Sequence, residues 1–149
     1  MMTFTPELHQ CCFGFLSEEE AQRVCALMTT RELAPGEVLF SSGQQSEEIY
    51  FLLAGKLAVQ QSTGFGNRMQ VVALLDPGAV VGESGILPGR NRGATVVAAS
   101  PSWLGVLTCR QFAELSTSAP VLGRKILFHL LDRLTLRLQK SSERLARVL

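Results

Sequence analysis

The sequence predicts a mainly β protein with flanking helices: a β jelly-roll barrel with an N-terminal helix before it and a long C-terminal helix after it. Three observations carry this expectation. Between Arg31 and Thr108, short apolar runs alternate with turns marked by glycine or proline, the pattern of an all-β sandwich or barrel. Ahead of that region, Ser17 followed by Glu18, Glu19 and Glu20 has the form of a capping box that opens a helix. Behind it, no proline follows Pro120, and the only glycine up to Leu149 is Gly123, in the first turn.

Taken in order, residues 1–30 form a helical segment in which Ala21, Val24, Cys25 and Met28 trace an apolar stripe, with Leu16 and Ala21 as a weak staple across the cap. Residues 31–108 form the roll. Pro35-Gly36 turns into Glu37-Val38-Leu39-Phe40, and Gly43 begins a polar loop. Ile49–Leu53 is a strand, Gly55 turns into Lys56–Gln60, and Gly64 and Gly66 flank a hairpin tip at Phe65. Met69–Leu75 is the next strand, ended by Asp76-Pro77-Gly78. Residues 109–149 are helical: a short helix at Gln111–Leu115, a linker at Ser116–Ala119, then the long helix, on the order of 45 Å if fully formed.

At 149 residues the chain has the size of one domain able to bury its own core. With 46% hydrophobic and 18% charged residues, disorder is not expected. A net charge of +1 gives the molecule as a whole no strong attraction to nucleic acid or to an anionic membrane. No apolar run approaches membrane-spanning length, and the first 30 residues lack a basic region followed by an apolar one, so a cytoplasmic protein is expected. Cys11, Cys12, Cys25 and Cys109 match no zinc spacing.

The chemistry concentrates in Val80–Ala98. Gly82 turns the chain and Glu83 presents a carboxylate. A Pro-Gly turn follows, then Arg92 and the small pair Gly93-Ala94. A buried phosphate needs a fixed cation and backbone N–H groups that can approach without a side chain in the way. Arg92 beside Gly93 and Ala94 offers both, while Glu83 offers an acceptor for a ribose hydroxyl. An isolated Glu and Arg in a loop would be read as a weak surface pair. The lack of bulk at Gly82, Ser84, Gly85, Gly93 and Ala94 favours a sugar-phosphate cradle instead.

Gly82-Glu83 followed by Arg92-Gly93-Ala94-Thr95-Val96 resembles the phosphate-binding cassette of cyclic-nucleotide-binding domains, the sensor modules of catabolite activator proteins and of regulatory subunits of cAMP-dependent protein kinase. The glycines at 36, 43 and 55 and the Pro77-Gly78 turn also match that roll. The resemblance implies a cAMP sensor with cGMP as the lesser ligand, because cGMP-selective relatives usually carry Thr where this chain has Gly93. It assigns the cyclic phosphate to Arg92 with the N–H groups of Gly93 and Ala94. The ribose 2′-hydroxyl goes to Glu83, and the shaping of the pocket to the backbone of Gly82 and Ser84.

On the long helix, Leu127, Leu131, Leu134, Leu138, Leu145 and Val148 keep a four–three spacing with Ser141 in the one polar seat, which favours a homodimer through residues 120–149. In the catabolite activator family this helix both dimerises and lids the nucleotide. Arg137-Leu138-Gln139-Lys140-Ser141-Ser142-Glu143 resembles the segment that touches the purine, which makes Ser141 and Ser142 candidate base contacts; counting without a gap from Pro120 would place Arg133-Leu134 there instead. No helix-turn-helix is present, so direct DNA binding by this chain is not expected; a stand-alone sensor and the sensory part of a longer transcription regulator both fit.

Two rivals belong to other classes. Cupin enzymes use the same roll but hold metal with strand-borne histidines, and this chain has only His9 and His129, both in segments read as helical. No Ser-His-Asp or Cys-His set can be assembled from the strands, so neither an enzyme, a metal site nor a cofactor is expected. The other rival is an interaction or dimerisation domain of the same fold that binds no nucleotide, with Glu83 and Arg92 as a structural pair.

Overall fold

The computed structural model describes residues 1–149. Its elements run α1 (Pro6–Cys12), α2 (Glu18–Leu27), β1 (Thr29–Leu33), β2 (Val38–Phe40), β3 (Glu48–Ala54), β4 (Leu57–Ser62), β5 (Met69–Leu75), β6 (Val80–Val81), a 3₁₀ turn (Glu83–Ile86), β7 (Thr95–Ala98), β8 (Ser102–Thr108), α3 (Cys109–Ser118) and α4 (Pro120–Val148). The eight strands form two four-stranded antiparallel sheets, β1-β8-β3-β6 and β2-β7-β4-β5. This is the jelly-roll class read from the sequence, but the two sheets are not closed into a barrel.

β3 explains why the sheets need helices. Ile49 and Phe51 belong to one buried cluster with Phe13, Ala21, Val24, Met28, Leu107, Phe112 and Ile126. Tyr50 and Leu52 belong to a second, with Leu57, Val81, Val96, Leu104 and Val106. Side chains alternate across a strand, so β3 is covered by helices on one face and by the second sheet on the other. That is why its sequence is an unbroken apolar run instead of an alternating one. Each such side chain contributes roughly 1.5–3 kcal/mol when fully buried.

The N-terminal segment is two helices, not one. Pro6 sits at the start of α1, whose cap is the Thr5 hydroxyl accepting from the Leu8 N–H at 3.1 Å. The chain then breaks through Phe13, which is fully buried, before the Ser17 box reopens it. Both arms of that box are present: Glu20 N–H donates to Ser17 Oγ at 3.2 Å, and Ser17 N–H donates to Glu20 Oε1 at 2.9 Å. α3 starts at Cys109, two residues before the expected Gln111, because Thr108 and Gln111 form a second capping box; it runs through Ser118 and leaves only Ala119 as a joint.

α4 divides in two. Leu122, Ile126 and Leu130 are buried against the first cluster, whereas Leu127, Leu131, Leu134, Leu138, Leu145 and Val148 are all exposed. No helix is long and apolar enough to cross a membrane.

Candidate functional site

Arg92 is 5% exposed, and strand pairing puts it there. Its N–H donates to the Gln44 carbonyl at 2.7 Å, its carbonyl accepts from Gly43 N–H at 2.8 Å, and Gln45 bridges to Asn91. The side chain runs inward under the 3₁₀ turn. Nη1 donates to the Gly82 carbonyl at 2.9 Å, and Nη2 donates to the Glu48 carbonyl at 2.8 Å. The guanidinium lies 4.1 Å from the Phe40 ring centroid and 5.6 Å from that of Tyr50, a cation–π seat. Burial pushes its pKa down; Tyr50, Glu48 and Glu83 act in the opposite direction. No carboxylate pairs with this cation. Its Nε is buried without any partner.

Gly82 is required here by both geometry and space. Its φ is +73°, in the left-handed region, and a Cβ would sit 2.6 Å from Arg92 Nη1 and 3.2 Å from the Tyr50 ring. Gly93 and Ala94 lie outside every strand and helix, and no protein acceptor takes their N–H groups. A side chain at Gly93 would meet nothing within 4 Å, so a hydroxyl there would fit. Ser84 Oγ shares a hydrogen bond of 2.9 Å with the buried Ser46 Oγ.

These residues line one cavity of about 240 Å³, with walls that include Phe40, Val59, Gln61, Glu83, Ser84, Arg92, Gly93 and Ala94. Arg137 of α4 also lines it. Arg137 was read from sequence only as the start of a family-like segment, not as a site residue. Its Nη1 donates to Glu83 Oε1 at 2.8 Å and its Nη2 donates to the Val80 carbonyl, both groups being partly buried. Glu83 Oε2 has no protein partner. One long helix is thereby clamped to the carboxylate of the loop that holds the arginine site.

Arg137 also lines a second, adjoining groove of about 490 Å³ between α4 and β5, whose walls include Val72, Leu74, Lys140, Ser141 and Arg144. Ser141 thus lies in the groove beside the cassette cavity; Ser142 is exposed and lines neither. Arg133 lines neither as well. Together the two cavities fall within the range of small-ligand sites, about 300–1,000 Å³. His9 is hydrogen-bonded to the Leu16 carbonyl at 2.7 Å, and His129 is stacked on Phe15 at 3.9 Å between centroids. No three His, Cys, Asp or Glu side chains are grouped to hold a metal ion.

The sequence pattern of the cyclic nucleotide-binding domain matches residues 30–118, more than half of the chain. The chain belongs to that family. A solved cyclic nucleotide-binding domain from Methylobacillus flagellatus KT superposes with a TM-score of 0.83 at 28% identity, covering 93% of this chain and 78% of that one. The Pycsar effector protein PaPycTIR of Pseudomonas aeruginosa is 28% identical over 119 residues, which is 79% of this chain and 37% of the effector. The cAMP-activated global transcriptional regulator CRP of Pasteurella multocida is 30% identical over 109 residues, 72% of this chain and 50% of the regulator. This cyclic nucleotide-binding domain therefore spans between about a third and a half of the length of these curated relatives.

Proposed function

We propose that this chain is a non-enzymatic cyclic nucleotide sensor, with cAMP as its preferred ligand and cGMP as a weaker one. One observation carries the reading: Arg92 is a buried cation with an unpartnered Nε, next to two backbone N–H groups that nothing in the protein accepts. A buried donor is nearly always satisfied, and an anion with several acceptor oxygens would satisfy the Nε while also taking the two N–H groups beside it. The cyclic phosphate supplies such an anion. Glu83 Oε2 then accepts from the ribose 2′-hydroxyl, Gly82 and Ser84 shape the turn around the sugar, and Ser141 and Ser142 on α4 are the candidate base contacts from the helix side. The absence of a hydroxyl at Gly93 supports cAMP over cGMP. Kinship with a cAMP-activated regulator supports the same ligand.

Calorimetric titration with cAMP and cGMP tests this reading. The expected result is micromolar or tighter binding of cAMP and weaker binding of cGMP. No heat and no thermal shift with either would favour the non-nucleotide interaction domain, in which Glu83 and Arg137 form only a structural clamp. Glu83→Ala should weaken cAMP roughly ten- to a hundredfold and 2′-deoxy-cAMP markedly less, since the hydrogen bond to a charged acceptor is lost only with the ribonucleotide, whereas loss of the Arg137 contact affects both. Equal losses for the two ligands would remove Glu83 from the hydroxyl role.

We further propose that ligand binding is coupled to α4 through the shared carboxylate. Arg137 and the 2′-hydroxyl both engage Glu83, so a bound nucleotide changes the stability of the contact that holds the helix. The ligand can shift α4 only by its differential affinity for the two arrangements. Hydrogen exchange along residues 131–149 should therefore change on saturation with cAMP, and Arg137→Ala should remove most of that change. Identical protection with and without ligand would refute the coupling.

The apolar stripe on α4 supports a homodimer. Six exposed apolar side chains at coiled-coil spacing are too many to leave in water on one helix face. Sedimentation should give a dimer for the wild type and a monomer for Leu134→Asp/Leu138→Asp, with the roll still folded because neither leucine is in its core. A wild-type monomer at tens of micromolar would end the dimer proposal.

A further inference from the structure

The phosphate and ribose assignments leave one polar side chain of the cassette cavity without a task, Gln61. It lies near the end of β4, two residues after Val59, which lines the same cavity. A register shift between Val59 and Gln60 marks a bulge there, a device that re-aims the following side chain. Gln61 Nε2 donates to the Gly93 carbonyl at 2.9 Å. A carbonyl can only accept, so the amide nitrogen has to face Gly93, and this fixes which way the carboxamide is turned. Its Oε1 has no protein partner. Because Gly93 follows Arg92, this free acceptor is held at a set offset from the cation.

We propose that Gln61 is the residue that selects the exocyclic group of the nucleobase. Its Oε1 accepts from an amino group, whereas a keto oxygen in the same place would set two acceptors against each other. The ligand class is therefore a cyclic mononucleotide with an amino-bearing base, adenine or cytosine, in preference to the keto counterparts hypoxanthine and uracil. The neighbouring strand supplies this discrimination through the bond to the Gly93 carbonyl. The inference rests on the cyclic nucleotide reading above.

The test is calorimetry of the full chain and of Gln61→Leu with cAMP, cIMP, cCMP and cUMP. The substitution is at an exposed position and leaves the buried clusters untouched. In whichever purine or pyrimidine pair binds, the wild type should favour the amino member by roughly three- to tenfold, the worth of one neutral hydrogen bond. Gln61→Leu should bring that ratio close to one while retaining the keto ligand's affinity. An amino-to-keto ratio that is the same in both proteins overturns the role of Gln61 and leaves the sensor reading standing. No binding of any of the four to the wild type overturns both.

Discussion

Arg92→Ala is expected to reduce cyclic nucleotide affinity by roughly thirtyfold or more while lowering thermal stability by only a few degrees. Two costs separate these effects. In the proposed complex the arginine faces a phosphate in a desolvated site, and deleting one partner of such a pair costs roughly 2–5 kcal/mol. In the free protein the balance is closer. Deletion leaves the Gly82 and Glu48 carbonyls without their donor, a penalty of about 1–3 kcal/mol per buried group. Against that, the free protein no longer buries a cation that lacks any carboxylate partner, and the downward push of burial on its pKa marks the cost of doing so. Calorimetry and thermal unfolding of the same preparation measure the two effects side by side. Near-wild-type affinity would mean that the phosphate is held elsewhere. Arg92→Lys should fall between, because an ammonium keeps the charge but loses the fork that reaches two carbonyls at once.

The contrast between what was and was not legible in the sequence follows from where the information lies. Gly82, Glu83, Arg92, Gly93 and Ala94 fall within one short stretch, so composition alone suggested a cradle, and the family match covers that stretch. Their partners are scattered. The acceptors that seat Arg92 are backbone carbonyls of Glu48 and Gly82, and a backbone oxygen leaves no mark in the sequence. Arg137 is 54 positions from Glu83 and one of seven cations on its helix, so only the packing of α4 singles it out. Gln61 was read as lying beyond a strand end, yet β4 continues to Ser62 and carries it into the cavity.

Elements with chemical punctuation are marked in the sequence, and those without it are not. The Ser17 box marks the start of α2, and Thr108 with Gln111 is a second mark of the same kind, which places the start of α3 two residues before the expected Gln111. The break between α1 and α2 has no such sign. Phe13 leaves the helix because its ring is drawn into the core against Phe51, at 5.0 Å between centroids, and that is a tertiary demand. Closure of a barrel is likewise decided by strand tilt and sheet edges, not by the alternation along any one strand.

Gly85→Ala is expected to show how tightly the fold and the site share parts. Gly85 sits in the 3₁₀ turn with an ordinary φ, so backbone strain is not at issue. Space is. A Cβ would lie 2.3 Å from the Glu48 carbonyl oxygen, 2.6 Å from its carbon and 2.8 Å from the Glu48 nitrogen. All three are backbone atoms at the start of β3, the strand buried on both faces, and they cannot rotate away as a side chain would. Overpacking of this kind costs typically 1–3 kcal/mol and sometimes more, and rigid backbone puts the expected loss at the upper end. For a chain of this size about 3 kcal/mol lowers the melting temperature by roughly 10 °C. The same carbonyl accepts from Arg92 Nη2, so any shift of Glu48 that relieves the clash also moves the guanidinium. Affinity for cAMP should therefore fall even well below the melting temperature, where the variant is fully folded. Gly93→Ala is the control, since a Cβ there meets nothing within 4 Å and its stability should match the wild type. If Gly85→Ala melts with Gly93→Ala and binds as the wild type does, the turn does not pack on β3 in this way, and Arg92 does not depend on it.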